Sequence, residues 1–339
     1  MENKYKNINI DILRILSMFM VVVLHTSSTY FICFHIYWSV ALFYDNISRF
    51  SVPVFFMISG YLLLGREEGC SFFMKKRASK VLIPLLAWSF FYICFDFNNW
   101  KEHNDIFSLI NKPAYFHLWF MYAILFFYAL TPMLRIFIAN TDRFTFNLVL
   151  ALWVLYAPVY LCAYDIKSVF IDHSSMARPS NLDTFLSLSG FYLIGGYVKK
   201  YMTTISNRFF IFSFLFALSV NFIAVYFSSV LHGSPIQIFF KYFSPFTCLI
   251  SVLLFVKFYN MDFNISNNLK NAIRLCSNLC FGVYLIHASL LPVFFTIFNP
   301  KIDGVSSALT IPLISLSVFL SSLFISYVLS CIPFLRRCI

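Results

Sequence analysis

Arg14 and His25 sit eleven residues apart inside one apolar stretch, Asp11-Ile-Leu-Arg14-Ile-Leu-Ser17-Met-Phe-Met-Val-Val-Val-Leu-His25. Imidazole is the side chain whose ordinary pKa lets it take a hydroxyl proton near neutral pH and return it. A guanidinium binds an anionic group or steadies developing negative charge. An α-helix turns about 100° per residue, so eleven residues complete three turns with about 20° to spare. The two side chains therefore share one face, about 16 Å apart along the axis, and Asp11 lies close to that face. A charge in a membrane span is costly unless it meets a polar cavity or a partner. Three polar groups in line thus predict a polar path or site reaching into a membrane. Each also has a structural alternative. His25 would pack as a helix-contact histidine bonded to a carbonyl, Arg14 would snorkel to headgroups from early in the run, and Asp11 would simply pair with Arg14.

Further candidates follow along the chain. Arg49 precedes Ser51-Val-Pro53-Val-Phe-Phe-Met-Ile-Ser59-Gly60-Tyr61, where Pro53 leaves a carbonyl free and Ser59-Gly60 permits close helix approach. The densest basic cluster, Arg66 to Lys80, holds Lys75, Lys76, Arg77 and Lys80. It suits the phosphates of a nucleotide-bearing donor, and equally ordinary juxtamembrane charge or anionic lipid. His117-Leu-Trp119-Phe120 opens a later apolar run, where His and Trp also serve as interfacial anchors. Gly282-Val-Tyr284-Leu-Ile-His287 places His287 near the middle of another run, as a site residue or as an interhelical hydrogen bond. His35, His103, His173 and His232 fall in predicted loops and are assigned nothing.

The elements that must position these residues are membrane spans. The 339 residues are 60% hydrophobic and 12% charged, against about 25% charged in soluble domains. Ten apolar runs are candidates: 8–31, 47–64, 81–97, 116–138, 145–163, 184–199, 208–231, 238–258, 276–298 and 307–332, the third and sixth being the weakest. Ten spans put both ends on one side. Sorting the 25 Lys and Arg residues by side then gives 18 against 7, with Arg49 among the seven, which predicts cytoplasmic termini. The expected fold is an all-α integral membrane protein, about ten helices in one bundle over 1–339, with no soluble extension and an uncleaved first span. The net charge of +11 follows from that sorting rather than from nucleic-acid binding. The nine cysteines form no metal-ligand or disulfide framework and read as small buried hydrophobes.

No Walker loop, dinucleotide glycine pattern, HExxH, GxSxG or His-x4-Asp pair occurs. Few carboxylates fall within the spans, which weighs against a proton-coupled transporter. Together the segments resemble the acyltransferase 3 family. Arg14 and His25 match its arginine and histidine with ten residues between them in the first span. Val52 to Tyr61 is similar to its second-span motif, Tyr115-Phe-His117-Leu-Trp119-Phe120 to its fourth, and Gly282 to His287 to its ninth. One departure is Lys80, where the family often has the second of two arginines three apart; a lysine holds phosphate as a point charge without the bidentate fork.

Within the family the chain looks most like surface-polysaccharide O-acetyltransferases of the enterobacterial-common-antigen type. The resemblance implies acetyl-CoA as donor, no metal, and a lipid-linked or polymeric glycan acceptor, in the inner membrane of a bacterium. His25 would be the base or transient acyl carrier, and Arg14 would bind the donor. Arg77, Lys80 and Lys76 would hold coenzyme phosphates. His117, Trp119, Arg49 and His287 would lie on the acceptor side. The rivals are a transporter or flippase of envelope lipids and a ligand-binding domain without chemistry.

Overall fold

The computed structural model describes residues 8–32, 34, 38–96, 109, 112–171, 181–298 and 304–339. Cys33, His35, His103 and His173, and Lys4, Lys6, Lys101, Arg178 and Lys301 of the charge sorting, lie outside them. Among the described residues there is no β-strand. The described residues form twelve α-helices: α1 (Ile8–Phe31), α2 (Trp38–Ser48), α3 (Ser51–Leu63), α4 (Cys70–Phe95), α5 (Trp119–Asn140), α6 (Arg143–Val154), α7 (Cys162–Phe170), α8 (Asn181–Tyr201), α9 (Asn207–His232), α10 (Pro245–Tyr259), α11 (Asn267–Phe298) and α12 (Gly304–Cys331). Nine helical stretches among the described residues are long and apolar enough to cross a membrane. The protein is an all-α, multi-pass membrane bundle. Large apolar side chains such as Phe90, Phe212 and Leu231 face outward, where lipid replaces water as solvent.

All ten predicted runs fall on helices. The sixth, α8, is 21 residues long but outside the nine, because its sequence is less apolar. Burial explains this. α8 packs along α3 with backbone nearly touching backbone: a Cβ on Gly60 would collide with the Tyr192 carbonyl, and one on Gly195 with the Met57 carbonyl. Small residues serve that contact better than large apolar ones. The expected close approach at Gly60 is therefore present.

Two boundaries differ from the sequence reading in ways that bear on function. The second span begins at Trp38, not at residue 47, and is broken between α2 and α3. Pro53 has no N–H to bond the Arg49 carbonyl four residues back, and its ring crowds that carbonyl, so the helix yields at Arg49–Phe50. Arg49 therefore sits inside the span and not in an outer loop. The third span begins at Cys70, so Lys75, Lys76, Arg77 and Lys80 ride on the first turns of α4 rather than in a connector.

The cysteine reading also needs correction. Cys162, Cys248 and Cys280 are buried, but Cys70, Cys94 and Cys331 are exposed, on helix positions that face away from the bundle. Among the described residues no group of His, Cys, Asp and Glu is arranged to hold a metal ion.

α1 is the central helix, packed against α2, α3, α10, α11 and α12. Its fully buried side includes Leu13, Val22 and Thr26. The polar face holding Arg14 and His25 is thereby enclosed by neighbours instead of lipid.

Candidate active site

Arg14, Met18, Val21 and His25 follow one another at four-, three- and four-residue steps down α1, and all four line a cavity of about 410 Å3. α4 contributes Arg77 and Lys80. The start of α5 and the single 3-10 turn before it contribute His117 and Trp119. α11 contributes Ser277, Cys280 and Tyr284. The cavity is basic at one end, where Arg14, Arg77 and Lys80 meet, and bears imidazoles and aromatic rings at the other.

At the basic end Arg14 is held by two partners. Its Nη1 donates to Ser277 Oγ at 2.8 Å and lies 3.4 Å from Asp11 Oδ1. Ser277 Oγ in turn donates to Asp11 Oδ1 at 2.7 Å. Asp11 is 3% exposed and its Oδ2 has no hydrogen-bond partner. The carboxylate thus neutralises Arg14 in part and leaves the rest of the guanidinium to the cavity. The Nε of Arg77 is buried without a hydrogen-bond partner. A cation lining a cavity with unused donors suits an anionic group there.

At the other end three imidazoles gather. The His25 and His287 rings stack at 5.3 Å between centroids, tilted by 27°, and His117 stands edge-on to His287 at 5.1 Å. The Nδ1 of His287 donates to the Tyr284 carbonyl at 2.6 Å. His287 is fully buried, and its Nε2 has no partner. His117 is 2% exposed, and neither ring nitrogen completes a hydrogen bond. The Leu285 carbonyl lies close to its ring and accepts the Tyr92 hydroxyl at 2.7 Å, which leaves a second lone pair for an imidazole N–H. Tyr284 donates its hydroxyl to the His117 carbonyl at 2.6 Å, tying the turn that holds His117 to α11. Trp119 stacks on Tyr242 at 5.7 Å, and Phe116 meets the His25 ring at 5.0 Å.

The structure therefore brings together Arg14, His25, Arg77, Lys80, His117 and Trp119, and sets His287 directly behind His25. Two others do not line the cavity, although Arg49 lies near enough for its charge to act on His25 and Tyr242. Lys76 points away, exposed, over the Phe72 ring at 5.1 Å. Arg49 is occupied by Asp45, one turn earlier on α2, at 2.7 Å, and lies over the Phe240 ring at 4.7 Å.

Sequence reasoning missed Ser277, Tyr242 and Cys280. For Ser277 a signal existed: Ser277 and His287 stand ten residues apart on α11, almost the interval between Arg14 and His25 on α1. The two helices meet at both ends of that interval, Arg14 with Ser277 and His25 with His287.

A charged mouth joined to a buried set of imidazoles can move an acyl group. The cations bind an anionic donor, and an imidazole takes the proton of a hydroxyl nucleophile. The sequence model of the acyltransferase domain family matches residues 7–331. The chain belongs to the acyltransferase 3 family and is a membrane acyltransferase. No curated protein and no solved structure matches it.

Proposed function

We propose that the protein transfers an acetyl group from acetyl-CoA to a hydroxyl of a cell-envelope polysaccharide or its lipid-linked precursor, in the inner membrane of a bacterium, as its likeness to surface-polysaccharide O-acetyltransferases suggests. The observation that carries this reading is the separation within one cavity. Arg14 and His25 lie about 16 Å apart along α1. That layout suits a donor whose anionic groups and reactive thioester stand at opposite ends of a long arm.

The residues at the basic end fit the phosphates. Arg77 has a buried, unpartnered Nε, Arg14 keeps part of its guanidinium toward the cavity, and Lys80 adds a mobile charge. With Lys80 in place of arginine, one phosphate contact is a point charge rather than a fork. The charge sorting puts this end on the cytoplasmic side, where coenzyme A is found.

In this mechanism acetyl-CoA supplies a thioester carbonyl, with coenzyme A as the thiolate leaving group. His25 accepts the proton of the acceptor hydroxyl as its oxygen attacks that carbonyl. The new C–O bond forms, the C–S bond breaks, and His25 returns the proton to the departing sulfur. Trp119, stacked on Tyr242, lines the acceptor end and offers an aromatic wall to a sugar ring.

The test is His25→Ala in cells lacking the native gene. Glycan O-acetylation, read by mass spectrometry at matched protein abundance, disappears. Acetylation at the wild-type level removes His25 from the mechanism, and no acetyl difference between gene-positive and gene-deleted cells removes the acetyl-transfer reading.

A further inference from the structure

Two histidines do more here than line a wall. His287 Nδ1 lies 2.6 Å from the Tyr284 carbonyl and 3.3 Å from that of Val283, and a carbonyl can only accept. The proton of His287 is thus on Nδ1, and its Nε2 presents a bare lone pair in the interior. His117 lies edge-on at 5.1 Å between centroids, close enough for facing ring nitrogens to come within hydrogen-bonding distance. It is almost wholly buried, yet it borders the cavity with both nitrogens unsatisfied. An unmet buried donor or acceptor is costly, so this ring favours a polar partner in the cavity. Its backbone is fixed by the Tyr284 hydroxyl.

Only a donor can satisfy the bare Nε2 of His287. Placing the N–H of His117 on its His287 side satisfies that atom and turns the lone pair of the other ring nitrogen to the cavity. We infer that His287 is a positioning residue that sets the tautomer of His117, and that His117 then accepts a hydrogen bond from a second hydroxyl of the acceptor, beside the one acylated. His25 takes the reacting proton; His117 holds the neighbour. The acceptor class this implies carries two adjacent hydroxyls, as on a sugar ring, and not a lone alcohol. The inference rests on the acetyl-transfer reading above.

The experiment uses membranes carrying the full-length protein, labelled acetyl-CoA and the host's own envelope glycan. The variants are His117→Ala, His287→Phe and their combination. Phenylalanine keeps the ring stacked on His25 but removes both nitrogens. His287→Asn, which keeps a donor for the Tyr284 carbonyl and lacks Nε2, serves as a second test of the same atom. Each single variant lowers glycan labelling at least tenfold, while half-saturation by acetyl-CoA stays within twofold. The double variant is no slower than His117→Ala, because His287 acts through His117. Residual product from His117→Ala carries acetyl at more than one position. Wild-type labelling in His287→Phe and His287→Asn, losses that multiply, or residual product acetylated at one position overturns the inference. Absence of labelling by the wild-type protein, or full labelling by His25→Ala, refutes the underlying reading instead.

Discussion

Replacing Ser277 with alanine tests how the basic end is held together. Ser277 Oγ accepts from Arg14 at 2.8 Å and donates to Asp11 at 2.7 Å, while the direct Arg14–Asp11 contact is 3.4 Å. Deleting the hydroxyl removes two charge-assisted hydrogen bonds at once. It also leaves a carboxylate that is 3% exposed with no short partner. The cheapest relief is for Arg14 to close onto Asp11, which draws the guanidinium away from the cavity. One such bond to a charged group is worth about 1.5–3 kcal/mol. If that amount is lost from donor binding, half-saturation by acetyl-CoA rises about 10- to 150-fold, at about 1.4 kcal/mol per factor of ten. Ser277→Thr, which retains a hydroxyl, stays close to wild type. The assay is transfer rate against acetyl-CoA concentration in membranes, with protein abundance matched. A Ser277→Ala half-saturation within threefold of wild type, or an equal rise in Ser277→Thr, refutes the reasoning.

Other predictions separate neighbouring residues. Lys80→Ala raises half-saturation by acetyl-CoA about fivefold, as expected for a solvent-reachable point charge worth about 1 kcal/mol, whereas Lys76→Ala leaves it unchanged; equal effects would dissolve the distinction between them. Gly195→Ala lowers the Tm in detergent by an amount equivalent to about 1–3 kcal/mol of overpacking, because its Cβ has nowhere to go against the Met57 carbonyl; an unshifted Tm contradicts the α3–α8 contact. Asp142 caps α6, accepting from the Phe144 and Thr145 amides, and bonds from the Thr145 side chain and these amides hold its carboxyl below the ordinary range. Its stabilisation is present above the unfolded-state pKa and is lost as pH falls through the lower folded-state value. Asp142→Ala accordingly lowers the Tm at pH 7, and the gap from wild type narrows as the pH is taken below the ordinary carboxylate range; a gap independent of pH rules out the charged cap.

Much of the architecture was legible because lipid imposes a simple rule, about 20 apolar residues per span. All ten runs became helices, and the face shared by Arg14 and His25 turned inward as their spacing required. Boundaries were harder where polar residues continue a helix past its apolar part. Lys75 to Lys80 read as a connector because charge ended the apolar run, yet nothing there breaks a helix. The site was legible where two chemical residues share one helix and dark where partners come from distant ones. His287 was visible as a polar residue in an apolar run, but its stacking on His25 depends on how α11 meets α1. Ser277 was legible only through its ten-residue interval to His287, since a lone serine is unremarkable in a membrane helix.

Arg49 shows what decides between scaffold and site among the cations of this bundle. From sequence it stood beside Pro53 and the family-like second-span motif, with as good a claim as Arg77. In the structure, Asp45, one turn back, takes its guanidinium at 2.7 Å. Lys241 is matched by Asp165 at 2.6 Å, and Arg135 gives its donors to the Leu63 and Glu68 carbonyls with the Glu68 carboxylate 3.9 Å away. Each of these cations has a carboxylate within 4 Å, although Arg49 Nε and one Arg135 Nη stay buried without a hydrogen-bond partner. Arg77 and Lys80 border the cavity without a carboxylate ion pair among the described residues. Arg14 is intermediate, lent to Asp11 through a long contact and a shared serine. A cation fully paired with a carboxylate gains little from an anionic ligand, whereas an unpaired one gains the whole interaction. The carboxylate partner, rather than the charge or its depth in the span, therefore separates the ion-paired Arg49, Arg135 and Lys241 from Arg77 and Lys80, which border the cavity without one.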